Sequence, residues 1–184
     1  MKTKIAVLAL ALTLTFIKLG RAQSSAPEIA RGAAENLHVV NSFRFEVAAS
    51  MERVAPLFAP EAERSWAGEH WKPVFLYPQP GRDVQGAVWT IKHGPFNSVW
   101  VNTLFDVLGG RMQYVAIIGD HLVMTVDVRV TAMASSHTAV EVTYTRTALD
   151  PSANEDVRTL GESDRTSGPE WQRGIESALG LAKK

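Results

Sequence analysis

The run from Leu122 to Ala132 constrains the fold more than any other part of the chain, because apolar residues occupy every second position. Those positions are Leu122, Met124, Val126, Val128 and Val130, and Val123, Thr125, Asp127, Arg129 and Thr131 lie between them. A period of two predicts a β-strand with one apolar face. Such a face must be buried against another layer of structure. The function of the chain therefore depends on what covers it.

Similar runs predict an antiparallel meander over residues 86–148. The run Val140–Arg146 alternates in the same way, and turn-forming pairs at 109–110 and 119–120 separate the runs. Short gaps of this kind are typical of β-hairpins. We therefore expect six or so strands in one sheet, including an earlier strand over 39–49.

Hairpin geometry then predicts the strand register. A two-residue turn at 119–120 sets Ile117 opposite Leu122 and Val115 opposite Met124. An odd-length loop near 135–136 brings Val130 against Val140 or Val142, and it turns Tyr144 and Arg146 toward the apolar face. When the same alternation is continued back through the two earlier hairpins, it predicts that seven more residues face inward: Trp89, Ile91, His93, Trp100, Asn102, Leu104 and Asp106. A bulge near Gly110 would reverse the strand from Ser98 to Leu108.

Helices are predicted on both sides of the meander. Ser50 is placed as an N-cap, and the helix after it ends before Pro60, with a second short helix over 61–67. Ser152 with Glu155 forms a capping-box pattern that opens a C-terminal helical region, interrupted around 161–168. Its last part has one apolar stripe, formed by Trp171, Ile175, Ala178, Leu179 and Ala182.

The segment 66–78 concentrates aromatic residues among prolines. It contains Trp66, Trp71, Phe75 and Tyr77. Prolines at 73, 78 and 80 exclude a helix or a central strand, so we expect a loop whose aromatic side chains fold onto the sheet. That loop is either a hydrophobic plug or the wall of a ligand cavity.

The N-terminus has the pattern of a secretory signal peptide. Lys2 and Lys4 precede an uncharged run from Ile5 to Ile17, and small residues end the stretch at Ala22. We expect residues 1–22 to be removed, residues 23–38 to form a flexible leader, and the product to be periplasmic or secreted. A membrane anchor or a buried helix is the alternative. After cleavage, no integral membrane segment is expected.

Charge and composition exclude several function classes. Loss of residues 1–22 removes four basic and no acidic residues, which leaves a net charge of about −4 and argues against nucleic acid binding. The chain has no cysteine, so disulfides and thiolate chemistry are excluded.

Chemistry-bearing motifs are sparse. The five histidines lack the spacing of a helical zinc site, and His121 and His137 are expected at the surface. We assign no catalytic residue, metal site or cofactor, and enzymatic activity stays open. Arg146, on an inward face, needs a partner, which is either Asp106 or a ligand carboxylate unless it extends to the cavity rim.

Four segments resemble bacterial members of the START-like, or helix-grip, superfamily (SRPBCC). They are Glu63–Pro73, Leu76–Pro78, Val99–Val101 and Thr143–Leu149. The superfamily includes lipid-transfer domains, pollen-allergen relatives and polyketide cyclases or dehydratases. The resemblance implies an α+β fold for residues 39–184: a curved antiparallel sheet wrapped around a C-terminal helix over a hydrophobic cavity, with two short helices between the first strands. A cystatin-like sheet would need its long helix earlier, and a lipocalin barrel would need more strands.

Three functions agree with this resemblance. The first is a carrier or sensor for a small hydrophobic or amphipathic molecule. The second is a cyclase or dehydratase in which Asn102, Asp106, Tyr144 and Arg146 position an enolate. The third is an interaction domain whose core is filled. The residues predicted to bind a ligand are Trp66, Trp71, Phe75, Tyr77, Trp89, Ile91, Trp100, Asn102, Leu104, Met124, Val126, Val128, Tyr144, Arg146, Trp171 and Ile175. The ligand and the oligomeric state stay open.

Overall fold

The computed structural model describes residues 35–93 and 96–181, without the side chain of His93. Within these ranges seven strands form one antiparallel sheet, in the order β1-β7-β6-β5-β4-β3-β2. The strands are β1 (His38–Val47), β2 (Val74–Tyr77), β3 (Val88–His93), β4 (Phe96–Asp106), β5 (Arg111–Ile118), β6 (Leu122–Ala134) and β7 (His137–Ala148). The first strand pairs with the last, so the meander from β3 to β7 is extended at both ends.

The helices are short. Between β1 and β2 lie α1 (Met51–Val54) and two 3-10 turns, Ala55–Phe58 and Ala62–Ser65. After β7 a 3-10 turn (Pro151–Ala153) leads into α2 (Asn154–Asp164), and α3 (Gly168–Ala178) follows. The C-terminal region is therefore two helices that break at 165–167. Gly161 lies inside α2, whereas the sequence placed it in the interruption.

Strands β6 and β7 pair as expected. Val130 lies opposite Val140, and Val126 lies opposite Tyr144, so the apolar positions of both strands share one face. The cause of this register differs from the prediction. The turn at 135–136 has two residues, since Ala134 pairs with His137, and a bulge between Ala132 and Ala134 supplies the extra residue.

The predicted register between β5 and β6 is wrong by one residue. Ile118, not Ile117, lies opposite Leu122, because the loop holds three residues from 119 to 121. Gly119 has a φ of 56° in this loop, a conformation that glycine adopts without strain. Ile117 consequently faces outward and is 46% exposed, while Tyr114 and Ala116 are buried on the inner face.

Strand β4 changes facing part-way along its length. A register shift lies between Asn102 and Leu104, so Trp100 and Asn102 are buried and Phe105, three residues after Asn102, packs against the core. The prediction that Leu104 and Asp106 point inward is therefore wrong, because it assumed unbroken alternation. Asp106 is exposed, and its Oδ1 accepts a hydrogen bond from the backbone N–H of Gly109 at 2.8 Å.

The aromatic segment contains an edge strand, β2, where a loop was expected. β2 pairs with β3 alone, and Pro73 and Pro78 flank it, which agrees with the confinement of proline to sheet edges. Phe75 is buried against Trp89, whereas Tyr77 on the same short strand is 61% exposed.

Residues 1–34 lie outside the described part of the chain, and with them the predicted signal peptide and most of the predicted leader. The described residues that follow are anchored to the domain. The backbone N–H of Leu37 donates to Asn154 Oδ1 at 2.7 Å, and the carbonyl of Leu37 accepts from Ala148 at 2.9 Å. Leu37 is therefore bound both to the end of β7 and to α2.

Candidate ligand-binding cavity

A cavity of about 790 Å³ lies between the inner face of the sheet, the segment 63–71 and the two C-terminal helices. The inner-face positions of β5, β6 and β7 form one side of it, with Leu122, Met124, Val126 and Val128 contributed by β6. These are the apolar positions of the run that alternates most clearly in the sequence. Part of the apolar face that this pattern predicts therefore borders a cavity.

Four of the five tryptophans of the chain line this cavity: Trp66, Trp71, Trp100 and Trp171. They form two edge-to-face pairs. The ring centroids of Trp66 and Trp171 lie 5.0 Å apart, and those of Trp71 and Trp100 lie 5.4 Å apart. Edge-to-face contacts fix the ring orientations and contribute beyond the area that the rings bury.

The indole N–H groups of three of these rings are satisfied by the protein itself. Trp66 Nε1 donates to the carbonyl of Leu57 at 2.7 Å, and Trp71 Nε1 donates to that of Pro60 at 2.8 Å. Trp100 Nε1 donates to Ser98 Oγ at 2.7 Å. The polar edge of each ring is thus held by the fold, which leaves the ring faces to form apolar walls.

Arg146 is a buried cation in the cavity wall, and Asp164 is its partner. Nε and one terminal nitrogen of Arg146 donate to the two carboxylate oxygens of Asp164, both at 2.7 Å, and the two residues are 7% and 4% exposed. The other terminal nitrogen lies 2.7 Å from Met124 Sδ, and the guanidinium carbon lies 4.6 Å from the ring centre of Tyr144. The expected pairing with Asp106 is wrong, because Asp106 faces the opposite side of the sheet.

Glu63 is a buried acid in the same wall. It lies in the 3-10 turn Ala62–Ser65 and is 7% exposed. Within the described residues its carboxylate forms no hydrogen bond or ion pair. Burial first, and then the negative charge of Asp83, raise the pKa of Glu63 well above its ordinary value. Perturbed, buried carboxyl groups of this kind are concentrated at functional sites.

Two tyrosines lie within the electrostatic reach of Glu63. The hydroxyl of Tyr114 donates to the carbonyl of Phe58, which ties β5 to the helical segment. Burial raises the pKa of Tyr114, and Glu63 and Asp83 raise it further. Burial also raises the pKa of Tyr144, where the positive charge of Arg146 opposes the effect. Both phenols are therefore neutral hydrogen-bonding groups at ordinary pH.

His121 lies at the rim of the cavity, not on the open surface as the sequence suggested. Its Nε2 lies 2.6 Å from Asp156 Oδ2 in α2, and its ring stacks on Phe96 at 5.2 Å. The three-residue loop before β6 places it there. This contact joins that loop to α2 beside the cavity.

Nine of the predicted ligand-binding residues line the cavity: Trp66, Trp71, Trp100, Met124, Val126, Val128, Tyr144, Arg146 and Trp171. The others lie elsewhere. Phe75, Trp89, Ile91, Asn102 and Ile175 are buried in packed core, Leu104 is half-buried beyond the bulge of β4, and Tyr77 is exposed. Whether the nine bind a ligand stays a prediction.

Several lining residues were not expected from the sequence, including Glu63, Tyr114, Ile118, His121 and Glu170. Tyr114 and Ile118 were missed because the register between β5 and β6 was set one residue out. Glu63 lies in a short polar segment where a solvated charge is the ordinary interpretation. Only the two tryptophans that follow it mark that segment as buried.

Comparison with solved structures finds this architecture in other proteins. Norcoclaurine synthase from Thalictrum flavum superposes with a TM-score of 0.60 at 15% identity, over 92% of this chain and 100% of that chain. An uncharacterised protein from Rhizobium leguminosarum superposes with a TM-score of 0.55 at 14% identity, over 78% and 97%. The chain has the helix-grip fold.

The comparisons show the fold alone. A Thermobifida fusca protein solved in solution also shares the helix-grip fold, with a TM-score of 0.56 at 16% identity over 77% of this chain and 94% of that one. No family model and no curated protein matches the sequence. The chemistry of this helix-grip domain must therefore be inferred from its own residues.

Two further findings bear on the site. In 35–93 and 96–181, no group of three His, Asp or Glu side chains is placed to share a metal ion. In the same part of the chain, no helix is long and apolar enough to cross a membrane.

Proposed function

We propose that this helix-grip domain binds a small hydrophobic or amphipathic molecule in the cavity and acts as a carrier or sensor. The observation that carries the proposal is the cavity itself, about 790 Å³ bounded by four indoles and the apolar face of β6. Ligand pockets span about 300–1,000 Å³ and are mainly apolar with a few placed polar groups. A domain whose core is filled would have no reason to hold rigid aromatic rings around such a volume.

A second candidate is an enzyme that uses the same cavity. Norcoclaurine synthase, solved in complex with dopamine and hydroxybenzaldehyde, is an enzyme with this fold. The observation in this chain that favours catalysis is Glu63, a buried carboxyl with a raised pKa near two tyrosines. The enolate-binding set proposed from the sequence is weakened, because Asn102 and Asp106 do not line the cavity.

Export is a further part of the proposal. It rests on the signal-like pattern of residues 1–22. Cell fractionation should recover a shortened chain, beginning near Gln23, outside the cytoplasm. A full-length chain integrated in the membrane would overturn this part and leave the cavity proposal intact.

The cavity proposal is tested by filling the cavity. Val126 is 4% exposed and lines it, so Val126→Trp inserts a ring where a ligand would lie. Thr125 is the neighbouring residue on the opposite face of β6, which makes Thr125→Trp the matched control. Calorimetry with a neutral probe, 2-(1-naphthyl)ethanol, should show that Val126→Trp binds at least about ten-fold more weakly than Thr125→Trp, a difference of about 1.4 kcal/mol. Equal affinity for the two variants, or no binding to the wild type, would contradict the proposal.

A further inference from the structure

Glu63 places a carboxyl group at the cavity wall, and no other group of the described residues pairs with it. Its side chain is 7% exposed and lines the cavity, and within the described residues it has no hydrogen-bond or ion-pair partner. A buried carboxyl without a partner tends to keep its proton, whereas an opposite charge beside it favours the charged form. A carboxyl that is buried without a partner in a cavity wall, as Glu63 is, is a candidate to pair with a ligand.

The nearby arginines are committed to other groups. Arg64, the next residue, donates to both oxygens of Glu61 and to the carbonyl of Pro73. Arg146 places two donors on Asp164, at 2.7 Å each. A ligand carboxylate would therefore find the buried guanidinium already occupied, contrary to the expectation from the sequence.

The other charges around the cavity add to the negative potential. Asp83 lies close enough to Glu63 to raise its pKa. Asp156 and Glu170 line the outer part of the cavity, where Asp156 is paired with His121 and His70 is exposed at the rim. This negative potential repels an anion that enters the cavity and attracts a cation.

The aromatic walls also suit a cation. The ring centre of Trp171 lies 5.0 Å from that of Trp66 and 6.3 Å from that of Tyr144, both in edge-to-face contact, and all three rings line the cavity. The guanidinium of Arg146 already lies over the Tyr144 ring, so the indoles are the main candidates to contact a ligand cation. Aromatic faces attract ammonium groups, with Trp the strongest. The walls can therefore hold both an apolar body and a positive head group.

We propose that the cavity takes a small molecule with a protonated amine on an aromatic or apolar body, and that its ammonium group pairs with Glu63 while its body lies against the tryptophans. This inference rests on the proposed function, since it names the ligand class of the same cavity. An ammonium at the carboxyl favours the charged form of Glu63 and so opposes the effect of burial. The unpaired acid is then the element that selects the ligand.

The test compares three probes that share one ring system and differ in charge: 2-(1-naphthyl)ethylamine, 2-(1-naphthyl)ethanol and 1-naphthylacetate. For the wild type, calorimetry should show the amine binding about ten-fold or more tightly than the alcohol, since a charge-assisted hydrogen bond contributes about that much. The acetate should bind most weakly. Glu63→Gln keeps the shape of the side chain and should bring the affinity for the amine close to the affinity for the alcohol.

Glu170→Gln is the control, because it removes one acid from the exposed rim of the same cavity and should keep the preference for the amine. Equal binding of the three probes to the wild type would overturn this proposal and leave the proposed function intact. This outcome does not depend on whether Glu63→Gln folds. Loss of alcohol and amine binding by the same factor in Glu63→Gln would also overturn the proposal, since the role of Glu63 would then not depend on the charge of the ligand. Absence of binding by all three would overturn the proposed function as well.

Discussion

The buried guanidinium of Arg146 is held by contacts on three sides. Asp164 accepts two hydrogen bonds at 2.7 Å, the sulfur of Met124 lies at 2.7 Å, and the ring of Tyr144 lies 4.6 Å away. Met124 is directly opposite Arg146 in the β6–β7 register, so strand pairing places the sulfur there. Asp164 is the last residue of α2, and the ion pair thus fastens that helix to the sheet beside the cavity.

Arg146→Met should lower the free energy of unfolding by about 3–5 kcal/mol, because it leaves the carboxylate of Asp164 buried without a partner. Urea unfolding followed by circular dichroism measures the loss. Arg44→Met is the control: Arg44 pairs with Glu141 at 3.2 Å, its side chain is 75% exposed, and an exposed pair contributes about 0–1 kcal/mol. A loss below about 1 kcal/mol for Arg146→Met would show that the pair is not structural.

Glu63 should make stability fall as pH rises. In the unfolded chain its carboxyl loses its proton near the ordinary pKa of 4.5, whereas burial raises its pKa in the folded protein. Between these two values the folded state binds more protons, so the free energy of unfolding decreases with pH. Glu63→Gln removes this decrease.

Unfolding of wild type and Glu63→Gln in urea at a series of pH values from 4 to 8 measures the effect. The variant should gain stability relative to the wild type as pH rises above about 4.5, while Glu170→Gln, an exposed acid, should follow the wild type. Two parallel profiles for Glu63→Gln and the wild type would contradict the raised pKa.

At the scale of elements, loops and bulges decide which residues face the cavity. Alternation in the sequence predicted every strand of the meander and the inner face of β6 and β7. In a strand that is buried on one face, apolar residues at every second position show which side chains point to the core. It could not predict the third residue of the loop at 119–121 or the shift between Asn102 and Leu104, since these depend on how neighbouring strands pair. Ile118 and Phe105 were therefore assigned to the wrong face.

The hairpin between β4 and β5 depends on a close backbone approach at Gly110. This residue has a φ of 66°, and a Cβ added there would lie 2.1 Å from the carbonyl oxygen of Val130. Gly86 has a φ of 80° and nothing within 4 Å of an added Cβ. The two positions thus share the strained conformation and differ in the contact.

Gly86→Ala should lower the free energy of unfolding by about 1–2 kcal/mol, the cost of the left-handed conformation alone. Gly110→Ala should lose about 1–3 kcal/mol more, because the backbone of β6 must also move. Thermal and urea unfolding of the two variants give the comparison. Equal losses would mean that the hairpin accommodates the methyl group and that the approach to Val130 does not matter.

At the scale of the whole molecule, aromatic residues lie between α3, the sheet and the segment before β2, beside the cavity. Trp171 of α3 contacts Trp66 and Phe43, whose ring centres lie 5.0 and 5.3 Å away. The sequence predicted that tryptophans border this region, because a segment rich in aromatic residues and proline must cover something. The polar content of the site was not predictable, since Glu63 becomes unusual only when the fold buries it.

The central claim is that the cavity is a ligand-binding site, and the indole N–H resonances of the five tryptophans test it in one titration. Trp66, Trp71, Trp100 and Trp171 line the cavity, whereas Trp89 is fully buried behind it and serves as an internal reference. Adding 2-(1-naphthyl)ethanol to the ¹⁵N-labelled protein should shift the four lining resonances along saturable curves with one shared dissociation constant, and Trp89 should shift least. Resonances that do not move, or that drift together without saturation, would contradict the claim.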